Sequence, residues 1–319
     1  MTSLIGHEEP WRLWHAAFDG GRVHHAWLLA GRRGLGKAQF AAGAAREMLA
    51  REAAGPTPRP HPDIICVEPL PDKDEDEKKK AEGKPFQTKR NITIEQVRAV
   101  QRRLTTRPTM GSRRAVIVDA ADDLEPAAAN ALLKSLEEPP QGTFFLLVSH
   151  RPGRLLATIR SRCRTLRFHD LADEDFARVL DAQAPGLSAD DRRAAIAAAT
   201  GSPGAALAFL ARDLAAVQQL MARLVDEPDG GFALRGALAT AIRARPDRER
   251  IGAAIDLARG ILVGAAAASE DRERQGRIIE AHAALNRLAA EAPTFNYDPG
   301  LLVLEIGGLL ASAAPAGVR

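Results

Sequence analysis

Residues 31–38 read Gly31-Arg32-Arg33-Gly34-Leu35-Gly36-Lys37-Ala38 and meet the pattern G-x-x-x-x-G-K-[ST] at every fixed position except the last. Glycines let backbone N–H groups wrap a phosphate, and a helix start adds the positive end of its dipole. Lys37 then belongs beside the outer phosphates of a nucleotide. The hydroxyl that closes the pattern would hold magnesium, and Ala38 has no oxygen to offer. A second chemical element is the run Ala115-Val116-Ile117-Val118-Asp119. It puts a carboxylate at the end of an apolar strand, where a P-loop fold keeps its metal-binding aspartate. Ala120 follows and cannot accept a proton, while Asp122 stands three residues on, in a different geometry.

The elements needed to hold these residues are legible around them. Ala26–Leu29 is a short apolar run ahead of the glycines, and Phe40, Ala44, Ala45, Met48 and Leu49 lie on one side of a helix after them. Strand, glycine loop and helix are the context a phosphate loop requires. Further buried strands are expected at 64–67, 115–118, 144–149 and 165–168. Helices are expected at 94–104, with Ile94, Val97, Val100 and Leu104 in register, and from Pro126 to the stop at Pro139-Pro140. A short helix is expected at 155–159. Alternating strands and helices imply a parallel sheet covered on both faces. After about residue 169 strand signals end, and the pattern is helical at 173–184, 188–200, 205–210 and from 214 to 310, with breaks at Pro228–Gly231 and Pro246. Residues 52–62 read as a loop, and the charged stretch 69–91 as a solvated insertion, because it lacks apolar residues to repay ordering.

Composition sets the outer limits. The chain has 319 residues, enough for two or three domains, and only two cysteines, Cys66 and Cys163, outside any C-x-x-C pair. That fits a reducing cytoplasm, as does a polar N-terminus without the order of a leader peptide. The apolar stretches 261–268 and 301–310 read as too short or interrupted to span a membrane. Arg102, Arg103, Arg107, Arg113 and Arg114 cluster around Met110 and could contact a nucleic-acid backbone, with no recognition motif beside them. His24 and His25 are adjacent on the approach to a strand, so their rings are expected on opposite faces and unable to share a metal.

Four further segments carry a family resemblance: His24-His25-Ala26-Trp27-Leu28-Leu29, Asn130-Ala131-Leu132-Leu133-Lys134-Ser135-Leu136-Glu137-Glu138-Pro139-Pro140, Ser161-Arg162-Cys163, and Gly201-Ser202-Pro203-Gly204-Ala205-Ala206-Leu207. They resemble the bacterial DNA polymerase III clamp-loader subunits of the AAA+ class, over residues 24–207. The resemblance implies an α/β AAA+ P-loop domain at 1–168, a small helical lid at 169–211 and an all-helical collar at 212–319. It marks Ala120 as the place of a water-activating glutamate and Gly204 as that of a nucleotide-sensing arginine. With Ala38, these losses resemble the delta-prime branch rather than the hydrolysing gamma/tau branch. A gamma/tau-like P-loop ATPase with an atypical metal site is the alternative, since water can replace a missing magnesium ligand.

By the same resemblance Arg162 projects across a subunit interface toward a neighbour's ATP γ-phosphate, a task suited to a permanently charged fork of donors. Taken alone, it would be an arginine of a surface ion pair. Ser149 stands at the sensor position, and Cys163 is expected to be packed rather than reactive. Gly31, Gly34, Gly36, Lys37 and Asp119 form a vestigial nucleotide site, with ATP binding weak or absent and no cofactor required. Residues 49–65 lack the zinc-binding cysteines that many members carry, so no zinc is expected. The implied partners are the gamma/tau and delta subunits and, within the complex, the sliding clamp and primer–template DNA, with no membrane.

Overall fold

Five strands, β1 (Ala26–Ala30), β2 (Ile64–Val67), β3 (Arg114–Val118), β4 (Thr143–Ser149) and β5 (Arg164–Arg167), pair in parallel in the order β2-β3-β4-β1-β5. The computed structural model describes residues 4–21, 23–51, 58, 60–84, 86–199, 201–212, 214–242, 246, 248–291 and 297–315. The strands lie where their apolar runs predict. β5 starts one residue earlier than expected, because Arg164 takes up the parallel register opposite Trp27.

Helices α1 (Glu8–Asp19), α2 (Lys37–Ala50), α3 (Asp74–Ala81), α4 (Ile94–Leu104), α5 (Pro126–Glu137) and α6 (Ala157–Arg160) complete the first unit. Every residue of β1 is buried, as a strand covered on both faces must be. Alternate side chains serve the two faces. Leu28, Val116, Val118, Phe145 and Leu147 meet Val97 and Leu104 of α4 and Leu132 and Leu136 of α5. On the other face Trp27 packs edge-on to Trp14 of α1, with ring centroids 5.3 Å apart, and Trp11 sits 4.3 Å from Phe40 of α2.

Two elements depart from expectation. No helix is expected before residue 22, yet α1 carries Trp11, Trp14 and Phe18 at helical spacing and buries Pro10, Trp14 and Ala17. The stretch 69–91 is indeed mostly exposed, but it is ordered around α3. Its acids fill the first turn and Lys78, Lys79 and Lys80 the last, which matches the helix dipole without any apolar face. The returning chain closes the excursion, with Asp72 N bonded to Gln87 O at 3.0 Å and Gln87 N to the buried Asp76 carboxylate at 3.2 Å.

By its contacts the chain divides into Met1–Leu171 and Ala172–Arg319. The second unit consists of α7 (Asp173–Gln183), α8 (Ala189–Ala199), α9 (Pro203–Ala211), α10 (Ala215–Asp226), α11 (Ala233–Ile242), α12 (Arg248–Ala268), α13 (Arg272–Glu291) and α14 (Pro299–Ser312). The Gly-Ser-Pro-Gly segment starts α9: Gly201 has φ +83, Ser202 caps the helix through Ala205 N, and Pro203 opens the first turn. The expected break near 228–231 is present, with Gly231 at φ +66. Most of the neighbourhood of Pro246, and of the expected loop 52–62, lies outside the described residues.

One expectation about apolar length needs correction. Arg250–Ala268 is a continuous helix of 19 residues with mean hydropathy 1.6, long and apolar enough to cross a membrane by those two measures. Asp256 and Arg259 hide that length in the sequence, since they interrupt the apolar run on the exposed side. Ala254, Ile255, Ala258 and Leu262 are buried within the helical unit, which is how a helix lays one stripe on its neighbours.

Candidate functional site

The glycine loop leaves the carboxyl end of β1, where strand order switches direction and open α/β sheets form their ligand crevice. The loop has the backbone its sequence requires. Gly34 and Gly36 sit at φ +83 and +78, and a Cβ at Gly31 would run into the Phe168 carbonyl. His7, itself buried, donates through Nε2 to Leu35 O at 2.7 Å and so ties α1 to the loop. Leu4 covers Gly36, where an added Cβ would stand 2.7 Å from its Cδ1.

Lys37 does not reach out of this cradle. Its Nζ donates to Gly31 O at 2.7 Å and to Arg32 O, and the residue is buried. Burial pulls its pKa down to about 8, against the pull of Asp119 and Asp122, which favour the charged form. Asp119 follows β3 as expected. Its carboxyl is raised above the usual range, first by burial and next by the nearby Glu68. A magnesium ion wants ionised oxygens in octahedral array. Ala38 supplies none, so the loop lacks the side-chain oxygen that its pattern reserves for magnesium, and Asp119 is the carboxyl beside it.

Asp122 is the residue that sequence reasoning undervalued. Its Oδ1 accepts from Ser149 Oγ at 2.9 Å and from Arg151 N at 3.1 Å, and its Oδ2 accepts from His150 N at 2.5 Å. The carboxylate is a clasp on the end of β4. Ser149, fully buried, thereby has a structural employment at the sensor position. His150 lies beside this knot, its pKa lowered to about 4, first by burial and then by the charge of Lys37.

Arg162 sits at the other end of the sheet. It precedes the amino end of β5, whereas the glycine loop follows the carboxyl end of the parallel β1. Four strand residues separate the two, about 13 Å of backbone. The guanidinium is part-exposed. It donates from Nη1 to Thr158 O at 3.0 Å and to Ser161 Oγ at 3.4 Å, and from Nη2 to Glu137 Oε1 at 2.7 Å. It is therefore in a surface ion pair within its own chain, with a partner the sequence did not single out. Cys163 next to it is packed as expected, its thiol pushed up to about 12 by burial.

Two expectations fall here. The five arginines around Met110 are not one basic face. Arg114 is buried, donating to Arg103 O and Arg107 O at 2.7 Å each, with Asp63 at 3.9 Å. Asp63 in turn holds Thr109 N and Met110 N at 2.7 and 2.8 Å. Arg113 lies over the Phe18 and Phe144 rings. The histidine rings are not on opposite faces either: β1 begins only at Ala26, and His24 and His25 stack with centroids 4.5 Å apart. His25 Nε2 bonds to Leu136 O at 2.9 Å, and Nδ1 of His24 lies 2.9 Å from Ala26 O, so both rings serve the backbone.

The comparisons with known proteins agree with this architecture. Residues 6–172 match the family model described as DNA polymerase III, delta subunit. The chain is 34% identical over 212 residues to the DNA polymerase III subunit delta' of Escherichia coli, covering 62% of this chain and 58% of that protein. It is 37% identical over 170 residues to the subunit delta' of Pseudomonas aeruginosa, covering 48% of this chain and 46% of that one. The chain thus matches about half the length of these curated relatives. Among solved structures, a DNA polymerase III gamma subunit-related protein from Thermotoga maritima superposes with a TM-score of 0.54 at 16% identity, over 95% of this chain and 98% of that one. This is a likeness of fold, a parallel α/β domain followed by a helical region.

Proposed function

Because the chain belongs to the DNA polymerase III delta-subunit family, we propose that it is a non-hydrolysing, delta-prime-type subunit of the clamp loader. In this role it completes a ring with gamma/tau and delta subunits and helps place the sliding clamp on primer–template DNA. Its chemical contribution is Arg162, offered to the ATP site of the adjoining subunit. The helices at 169–211 serve as a lid and those at 212–319 as the collar that holds the ring. It works in the cytoplasm, and needs no zinc and no nucleotide of its own.

The observation that carries this proposal is the separation of the two sites along the sheet. Arg162 lies at the amino end and the chain's own phosphate loop at the carboxyl end, farther apart than an arginine side chain spans. An arginine so placed serves another chain's nucleotide or none. The loop itself supports the same view. Lys37 is spent on Gly31 O and Arg32 O, and the hydroxyl and carboxylate of hydrolysis are replaced by Ala38 and Ala120.

The test is a loader reconstituted with Arg162→Ala in this subunit. An arginine in trans is worth about a thousandfold or more in phosphoryl transfer. Turnover at the adjoining ATP site should fall by at least a hundredfold, with the complex still assembling. Unchanged turnover at that site refutes the trans role.

A further inference from the structure

Glu137 is the last residue of α5, and the helix behind it is packed, with Leu132, Ser135 and Leu136 buried. His25 bonds to Leu136 O at 2.9 Å, and Gln101 of α4 donates to Ala131 O and Ser135 Oγ at 2.8 and 3.2 Å. Pro139-Pro140 follows and ends the helix. The carboxylate is thus delivered from a rigid base, 2.7 Å from Nη2 of Arg162. The arginine meets it folded back, with Nη1 on the carbonyl four residues earlier, Thr158 O. The guanidinium so bridges the carboxyl ends of two helices, where exposed carbonyls favour a cation. Phosphate is commonly gripped by two parallel N–H groups of a guanidinium. Here both terminal nitrogens already have partners on their own chain.

We propose that Glu137 is a positioning residue, the resting partner of Arg162. It holds the guanidinium folded onto its own chain and gives it up when a neighbouring triphosphate, with its greater negative charge, comes within reach. This rests on the trans role of Arg162 proposed above. The Glu137 carboxylate also offsets the positive charge that would stabilise phosphoryl transfer, so the pair keeps the arginine quiet until a nucleotide-loaded neighbour docks. Both side chains are part-exposed, so the hold is weak, no more than about a fivefold preference for the paired state. A weak hold suits a contact that must exchange in every cycle.

The experiment uses the reconstituted loader with Glu137→Gln, Glu137→Ala, Glu137→Asp, Arg162→Ala and the Glu137→Gln/Arg162→Ala pair in this subunit. ATP turnover is measured without clamp or DNA, with kcat and KM separated. Removing the charge as Gln or Ala should raise kcat/KM for ATP by about two- to fivefold, chiefly through KM. Asp, which keeps a carboxylate, should fall between Gln and wild type, and Gln should change nothing once Arg162 is gone. A merely structural Glu137 would give equal losses with Gln, Ala and Asp and no dependence on Arg162. Unchanged or lower kcat/KM in Glu137→Gln overturns the assignment while leaving the trans arginine standing, provided Arg162→Ala still suppresses turnover. If Arg162→Ala has no effect, both fall together.

Discussion

Asp122 decides whether this chain could hydrolyse ATP by an unusual route. In a catalytic account it would stand in for the missing acid at Ala120 and take a proton from water. The structure instead shows its two oxygens accepting three hydrogen bonds from the end of β4. Asp122→Ala leaves the Ser149 hydroxyl, fully buried, and the His150 amide without partners, while the exposed Arg151 amide finds water. The orphaned buried hydroxyl costs roughly 1–3 kcal/mol and the half-buried His150 amide about 1–2, so the N-terminal unit should lose about 2–5 kcal/mol. Asp122→Asn should cost about 1–3 kcal/mol. Its carbonyl can keep Ser149 and Arg151, but its amide must face the His150 N–H that Oδ2 now accepts at 2.5 Å. The three tryptophans, Trp11, Trp14 and Trp27, all lie in this unit, so their fluorescence in urea reports its unfolding alone. With a slope of about 2 kcal/mol per molar urea, the alanine variant should shift the midpoint down by about 1–2.5 M. An unchanged midpoint in Asp122→Ala, together with loss of an ATPase activity that the wild-type chain displays, would refute the reasoning and make Asp122 a catalytic base.

Two further outcomes follow from buried charges. Arg114→Met should destabilise the same unit by about 3–5 kcal/mol, since it leaves the buried Asp63 without its cation and the Arg107 carbonyl without its donor. In the assembled loader it should leave the salt dependence of DNA binding unchanged, because a buried guanidinium releases no phosphate counterion; a smaller salt slope would return Arg114 to the surface. Lys37 loses its proton at about pH 8 when folded but keeps it to about 10.5 unfolded. Between those values the unfolded chain binds more protons, so stability rises with pH through the window and the penalty is full below it. Relative to Lys37→Met, the wild type should therefore gain up to about 3 kcal/mol between pH 7 and 10.5, read from paired urea midpoints. A flat difference would mean that Lys37 is not held in the loop.

The sequence discloses most of what local rules govern. The glycines of the loop, the apolar strands and the stop at Pro139-Pro140 each act within a few residues, so they were readable and lie where expected. What escaped depends on partners distant in the chain. Asp122 looks like a misplaced catalytic acid until β4 brings Ser149 beside it across 27 positions. Arg114 looks like one of five surface arginines until Asp63, 51 positions earlier, draws it inside. α3 escaped for another reason. It has no apolar stripe, so a search by hydrophobic period passes over it, yet its order of acids before lysines was the readable signal. The histidine pair shows how a sound rule fails at an element's edge, since alternation holds inside a strand and His24 and His25 stand just before one.

The two ends of the sheet carry the remaining consequence. In a ring whose members contact head to tail, each subunit shows its neighbours two different faces. If Arg162 acts and the chain's own site is idle, as proposed, this chain has a working group on its amino-end face and an inert cradle on its carboxyl-end face. A neighbour that needs an arginine can use it. On the same proposal, a neighbour that offers an arginine would find no hydrolysable nucleotide to act on, a reading that Ala38, Ala120 and the turned-in Lys37 support. On that proposal, such a chain placed at an interior position would break a row of working ATP sites. The proposal therefore puts it at a terminus, where an arginine is required and no ATP is. The contacts of the retained loop suit that proposal: it is braced by His7 and capped by Leu4, as a packing element would be.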